Sequence, residues 1–336
     1  MSDEPLVAVE NLSVRFGAGH AAVNAVNGVS FALHEGEVLG ILGESGSGKS
    51  VTLRALMRLL PPRKATIGGR IAIAGRDVLA LDRAELAALR GPTAAMIFQE
   101  PMTALDPVFT IGQQIVEPIM HHERIGAAAA RLRALELLDR VQIPSARRRF
   151  DAYPHQLSGG LRQRAMIAIA LACKPRVLLA DEPTTALDAT VQVQILLLLR
   201  TLQRELGMAM IFVTHDLGVA IEIAPRLAVM YAGRFVETGP VRDVIVTPRH
   251  PYTEGLLRST VHEVAKGERL HPIQGSPPNL AALPPGCSFA PRCGYAEPRC
   301  RAELPNERAI RVSVAHAHTT RCFFPERVAR SQAAAS

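Results

Sequence analysis

Gly43-Glu44-Ser45-Gly46-Ser47-Gly48-Lys49-Ser50 is the stretch on which the reading of this chain turns. It fits G-x-x-x-x-G-K-S/T, the phosphate-loop pattern. Its glycines let successive backbone N–H groups turn inward as an anion nest at the start of a helix. Lys49 can reach the β- and γ-phosphates of a nucleotide, and the Ser50 hydroxyl can ligate Mg2+. The flanks agree with this reading. Val38 to Leu42 is a continuous apolar run of the kind a buried parallel strand needs. A helix is expected over Val51 to Leu60, stopped by Pro61-Pro62.

The second half of such a site needs an acidic residue at the end of an apolar strand. Val177-Leu178-Leu179-Ala180-Asp181-Glu182 supplies two. Asp181 sits where a carboxylate holds Mg2+, and Glu182 follows where a general base polarises the attacking water. Elsewhere, Leu6 to Val14, Gly28 to Leu33 and Met210 to Val213 read as strands. Asp82 to Leu89, Ala127 to Leu138, Leu161 to Cys173 and Val191 to Leu206 read as helices. Strands alternating with helices give an α/β core with a largely parallel sheet.

The chain has 336 residues, 48% apolar and 21% charged, which is globular composition for about two domains. The longest apolar run is Ala165 to Cys173, far short of the roughly 18 residues that a bilayer span needs. The start, Met-Ser-Asp-Glu-Pro, has neither the basic nor the apolar region of a signal peptide. A soluble chain made in the cytoplasm is therefore expected. The net charge of +7 suits an anionic membrane surface or a polyphosphate ligand. Nucleic-acid binding is disfavoured, because aromatic residues are 4% and Trp is absent, leaving few platforms for base stacking.

Leu157-Ser158-Gly159-Gly160-Leu161-Arg162-Gln163-Arg164 stands between the two halves of the site, at a helix start. Ser158 is a natural N-cap, and the glycines after it expose backbone N–H groups at a positive helix end. With the phosphate loop and Asp181-Glu182, this stretch resembles the LSGGQ signature of ABC ATPases, with Leu161 in place of the final Gln. The resemblance covers residues 6 to about 238. It implies an ABC-type fold: a mainly parallel sheet with an N-terminal antiparallel β-subdomain and a helical signature subdomain at about 99–172. It also implies ATP and Mg2+ as ligands, with Gly43, Glu44, Ser45, Gly46, Ser47, Gly48, Lys49 and Ser50 around the phosphates. Gln99 matches the Q-loop residue that contacts Mg2+ and the attacking water, so that Ser50, Gln99 and Asp181 serve the metal. Phe16 matches the aromatic residue against adenine. Asp188, in Ala186-Leu187-Asp188, matches the D-loop, and His215 the switch histidine that senses the γ-phosphate. Glu182 and His215 are thus the implied catalytic pair. Ser158, Gly159, Gly160 and Gln163 would face ATP held by a second ATPase subunit.

Three stretches narrow the resemblance: residues 98–107, Tyr153-Pro154-His155-Gln156-Leu157-Ser158, and residues 181–188. The composition changes after about Gly239, with nine prolines between Pro272 and Pro325 and one marked helix candidate, Tyr252 to Arg258. Pro248-Arg249-His250-Pro251-Tyr252-Thr253, Gly275-Ser276-Pro277-Pro278 and Gly286-Cys287 look like the C-terminal extension of dipeptide/oligopeptide importer ATPases. The domains expected are therefore 1–238, the nucleotide-binding domain, and 239–336, a small loop-rich extension. The family implies a heterodimer with a similar ATPase, two membrane permeases and an extracytoplasmic binding protein. It places the chain peripherally on the cytoplasmic face of the inner membrane, and nucleic acid is not an expected partner. A nickel or glutathione importer is the alternative within this class. A soluble ABC ATPase acting on nucleic acid or ribosomes is the remote one.

Cys287, Cys293, Cys300 and Cys322 follow C-x5-C-x6-C-x21-C. Structural zinc sites use closer pairs, and common ferredoxin spacings differ too. The spacing alone therefore leaves zinc, an iron–sulfur cluster and free thiols open. A module with little apolar periodicity gains from a metal-centred crosslink. The resemblance implies a 4Fe-4S cluster on these four cysteines, with zinc as the alternative. Cys173 ends an apolar helix and reads as core.

Overall fold

The computed structural model describes residues 4–19, 22–185, 187–259, 272–312 and 317–328. Its strands begin with β1 (Val7–Phe16), β2 (Val23–Leu33), β3 (Val38–Leu42), β4 (Ala65–Ile73), β5 (Arg76–Asp77) and β6 (Ala94–Ile97). They continue with β7 (Val177–Asp181), β8 (Ala209–Thr214), β9 (Arg226–Tyr231), β10 (Arg234–Pro240), β11 (Arg308–Val312) and β12 (Ala317–Thr320). The helices begin with α1 (Lys49–Leu56), α2 (Arg83–Leu89), α3 (Pro101–Ala104), α4 (Ile111–Glu123), α5 (Ala127–Arg140) and α6 (Ala146–Phe150). After them come α7 (Gly159–Leu171), α8 (Ala189–Leu206), α9 (Leu217–Ile223), α10 (Val241–Val246), α11 (Pro251–Arg258) and α12 (Pro298–Ala302). Among the described residues no helix is long and apolar enough to cross a membrane.

The chain forms two compact units, each discontinuous in sequence. The first comprises Met1–Ala8, Ala32–Glu37 and Ala72–Ile211. Within it β6 and β7 pair in parallel, from Ala94 opposite Val177 to Ile97 opposite Ala180, and both strands are wholly buried. Continuous apolar sequence is what such a doubly covered strand requires. A layer of helices α4 to α7 belongs to the same unit, with α4 packed on α5, α6 and α7. Capping boxes start two of its helices: Asp82 with Glu85 at α2, and Thr110 with Gln113 at α4. Helix α8 buries Ile195, Leu198, Leu199 and Leu202 along one stripe at helical spacing.

The second unit comprises Val9–Phe31, Val38–Ile71 and Phe212–Ser336. Its sheet runs β11-β12-β10-β9-β3. β3 pairs with β9 in parallel, from Leu39 opposite Arg226 to Leu42 opposite Val229. The pairs β9–β10, β10–β12 and β11–β12 are antiparallel. The strands β11 and β12 were not expected from the sequence, nor were the short helices α10 and α12. The hairpin lacks apolar alternation because β12 docks on β10 through polar groups. Glu237 and His318 are 1% and 2% exposed, with His318 Nε2 2.7 Å from Glu237 Oε1. The same carboxylate accepts the N–H groups of Arg249 and His250, at 2.7 and 2.9 Å.

Helix α1 also departs from expectation. It ends at Leu56, before the expected Leu60, because Arg58 takes a left-handed φ of 47° and breaks the helix ahead of the prolines.

Candidate nucleotide site and cysteine module

The phosphate loop lies in the second unit, between β3 and α1. A Cβ on Gly43 would lie 2.2 Å from the Met230 carbonyl oxygen. At Gly48, φ is 108° and a Cβ would lie 2.4 Å from the Ala25 carbonyl oxygen, so both positions require glycine. Lys49 is 4% exposed, and its Nζ donates to the carbonyls of Gly43 at 2.8 Å and Glu44 at 3.1 Å. This holds a buried positive charge inside the loop. Ser47 Oγ is buried with no hydrogen-bond partner among the described residues, a donor that an anionic ligand would satisfy. The loop's far end is tied down where Gly233 N–H donates to the Ser47 carbonyl at 2.8 Å. Phe16, half-buried, ends β1 in the same unit.

The acidic pair lies in the first unit. Asp181 is fully buried as the last residue of β7. Because Ile97 faces Ala180 across the parallel pair, Gln99 and Glu182 each follow two residues beyond the same rung. Gln99 Nε2 donates to Glu182 Oε2 at 3.3 Å, and Thr185 Oγ1 donates to the same oxygen at 3.0 Å. Glu182 has a left-handed φ of 45°, which costs a residue with a Cβ roughly 1–2 kcal/mol. Such strain collects at functional sites. The arrangement orients one carboxylate through an amide and a hydroxyl that donate to the same oxygen.

In the same unit Ser158 stands at the N-cap of α7, yet its side chain makes no capping hydrogen bond. The capping expected of it from the sequence is not made. Ser158 and Gly159 are exposed. Arg162 fixes the segment ahead of them, donating to the carbonyls of Pro154 at 2.7 Å and His155 at 3.3 Å. Gln163, expected with the exposed signature residues, is instead 1% exposed on the buried side of α7. Asp188 caps α8, its Oδ1 accepting the Val191 N–H at 3.0 Å. Ala186 of that motif lies outside the described residues. His215 is exposed just after β8, in the second unit.

Cys287, Cys293, Cys300 and Cys322 line one cavity of the second unit together with His250, Phe289 and Phe324. All four are free thiols. Burial pushes Cys293 up to about 11 and Cys322 up to about 12, and the neighbouring cysteines add to both shifts. Burial raises Cys287 as well. Among the described residues, no group of three or more His, Cys, Asp or Glu side chains is arranged to hold a single metal ion. Cys173 is a separate, buried thiol, pushed up to about 11 by burial.

Sequence reading missed Thr185, whose adjacency to Glu182 offered a signal only at three-residue spacing. It also missed Arg292, which binds Glu44 from 248 positions away and left no local signal.

Comparison with known proteins accords with this geometry. The pattern of the family described as ABC transporter matches residues 26–185, and that of the oligopeptide/dipeptide transporter C-terminal region matches residues 236–300. A Brucella abortus protein described as a peptide import ATP-binding protein is 50% identical over 335 residues, covering 96% of this chain and 98% of that one. A second such protein from the same organism is 51% identical over 296 residues, covering 88% and 89%. Among solved structures, a dimeric ATP-binding cassette in a post-hydrolysis state with ADP and Pi is 32% identical, with a TM-score of 0.63 over 70% of this chain and 99% of that one. A part of the cbiONQ ABC transporter complex of Clostridium perfringens is 27% identical, with a TM-score of 0.62 over 73% and 92%.

Proposed function

The chain belongs to the ABC transporter ATPases that carry the oligopeptide/dipeptide transporter C-terminal region, and on that premise we propose how its residues power import. It is an ATPase with the ABC cassette fold, the energy-supplying subunit of an ABC importer of di- and oligopeptides. Residues 1–238 form the nucleotide-binding domain and 239–336 the extension.

The observation that carries this reading is the convergence of Gln99 and Thr185 on Glu182 Oε2. Glu182 accepts a proton from the water whose oxygen bonds to the γ-phosphorus of ATP, while the bond from that phosphorus to the leaving ADP oxygen breaks. The phosphate loop from Gly43 to Ser50 cradles the phosphates, with Lys49 supplying the charge. Ser50, Gln99 and Asp181 serve Mg2+, which neutralises charge on the phosphate oxygens when bound. Phe16 lies against adenine and His215 senses the γ-phosphate. Ser158, Gly159 and Gly160 face the nucleotide of a second ATPase subunit, and Asp188 lies in the loop between the two sites. Exposure of Ser158 and Gly159 supports this, whereas burial of Gln163 leaves it a role in packing α7.

The partners are a similar ATPase, giving a heterodimer, two permeases and an extracytoplasmic binding protein. The subunit sits peripherally on the cytoplasmic face of the inner membrane. Met102, Val108 and Phe109 support the docking of a permease: they are 58%, 70% and 48% exposed, large apolar side chains at and just beyond α3.

For the cysteine cavity the reading is a 4Fe-4S cluster, with zinc as the alternative. Its support is that four free thiols line one cavity. Cys287, Cys293, Cys300 and Cys322 would hold it as thiolates, and bound there it crosslinks the extension. Uptake of labelled di- and oligopeptides by proteoliposomes holding this chain with its permeases, second ATPase and binding protein tests the function. ATP-dependent accumulation is expected, and its absence with active complex refutes the peptide assignment.

A further inference from the structure

Glu44 is a carboxylate inside a loop read as built for anions, and its surroundings come from the C-terminal extension. Arg292 grips it in a bidentate pair, Nη1 to Oε2 at 2.8 Å and Nη2 to Oε1 at 3.0 Å. The Glu44 N–H donates to Tyr252 Oη at 2.8 Å. The Arg292 side chain is 5% exposed, against 27% for Glu44. Its remaining donors are occupied as well. Nε donates to the Gln274 carbonyl at 3.0 Å, Nη2 to the Ile273 carbonyl at 3.3 Å, and Nη1 reaches Tyr231 Oη at 3.4 Å. A guanidinium held on every side has one orientation, and a planar fork is the group that grips a carboxylate this way.

Arg292 closes a short helical turn, Ala290–Arg292, and the next residue is Cys293. Cys293, Phe289 and Ala290 line the cysteine cavity. A single turn of chain therefore carries both the cavity wall and the counter-ion of the phosphate loop. We propose that Arg292 is a positioning residue for nucleotide binding: it cancels the Glu44 charge, so that triphosphate affinity depends on the cysteine-bearing module. Unpaired, the Glu44 carboxylate would repel the incoming phosphates from within the loop. This rests on the phosphate-loop reading of residues 43–50.

The test is titration of the full chain with a fluorescent ATP analogue and Mg2+, with melting curves confirming that each variant is folded. Arg292→Met should raise Kd at least tenfold. The double variant Glu44→Gln/Arg292→Met should return to within about threefold of wild type, because the uncompensated charge is gone. Arg292→Gln, which keeps a donor towards Glu44 but loses the charge, should raise Kd likewise, and it keeps the test open if Arg292→Met does not fold. Wild-type affinity in Arg292→Met overturns the proposal. So does a double variant as weak as the single, which would mean mere structural anchoring, and so does wild-type affinity in Arg292→Gln. Lys49→Ala separates the two layers. Lost binding there with unchanged binding in Arg292→Met rejects only the role of Arg292, whereas unchanged binding in Lys49→Ala removes the phosphate-loop reading and this inference with it.

Discussion

Gln99 donates from Nε2 to Glu182 Oε2 across 3.3 Å, although 83 positions separate them in the chain. The parallel register of β6 and β7 brings them level. Thr185, three residues after Glu182, completes the orientation of that oxygen. A hydrogen bond to a charged group contributes about 1.5–3 kcal/mol. Thr185→Val should therefore slow ATP hydrolysis about tenfold or more while leaving nucleotide Kd near wild type. Steady-state turnover beside equilibrium titration reads both quantities, and equal losses in the two would place Thr185 in ground-state binding instead.

How much of this was visible in the sequence depends on where each determinant lies. The phosphate loop was legible because its glycines, Lys49 and Ser50 sit within eight consecutive residues. The apolar strands β3 and β7 were legible because burial on both faces leaves an unbroken apolar run. The Gln99–Glu182 contact was not, since it depends on pairing between distant strands. The hairpin of β11 and β12 was invisible for a different reason. It is held by a buried carboxylate and an imidazole rather than by alternating apolar side chains. The Arg292–Glu44 pair, spanning 248 positions, has no sequence signature at all.

That hairpin gives the second prediction. Glu237 satisfies two backbone N–H groups and the His318 ring within the core. Removing the carboxylate leaves buried donors stranded, at about 1–3 kcal/mol each. Glu237→Ala should lose at least about 3 kcal/mol in urea unfolding, and His318→Gln less. A Glu237→Ala protein as stable as wild type would show that the hairpin does not depend on this cluster.

The third prediction concerns the thiols. Anaerobically purified protein should be brown, with about four irons per chain. Cys293→Ser should lose colour and iron, whereas Cys173→Ser should keep both, because Cys173 lies outside the cavity. Colourless anaerobic protein with stoichiometric zinc, measured by elemental analysis, would reject the cluster and leave the ATPase untouched.

A fourth prediction addresses the exposed apolar patch. Val108 is 70% exposed, so a charge there should cost the isolated chain under about 0.5 kcal/mol of stability. Val108→Asp should nonetheless abolish co-purification with the permeases while preserving nucleotide binding. Normal assembly of that variant would move the docking surface elsewhere.

The most direct test of the account is ATP turnover by the assembled transporter carrying Glu182→Gln. Removing a general base costs about 100- to 10,000-fold. The account predicts turnover reduced at least 100-fold with ATP still bound near wild-type affinity, and turnover at the wild-type rate would contradict it.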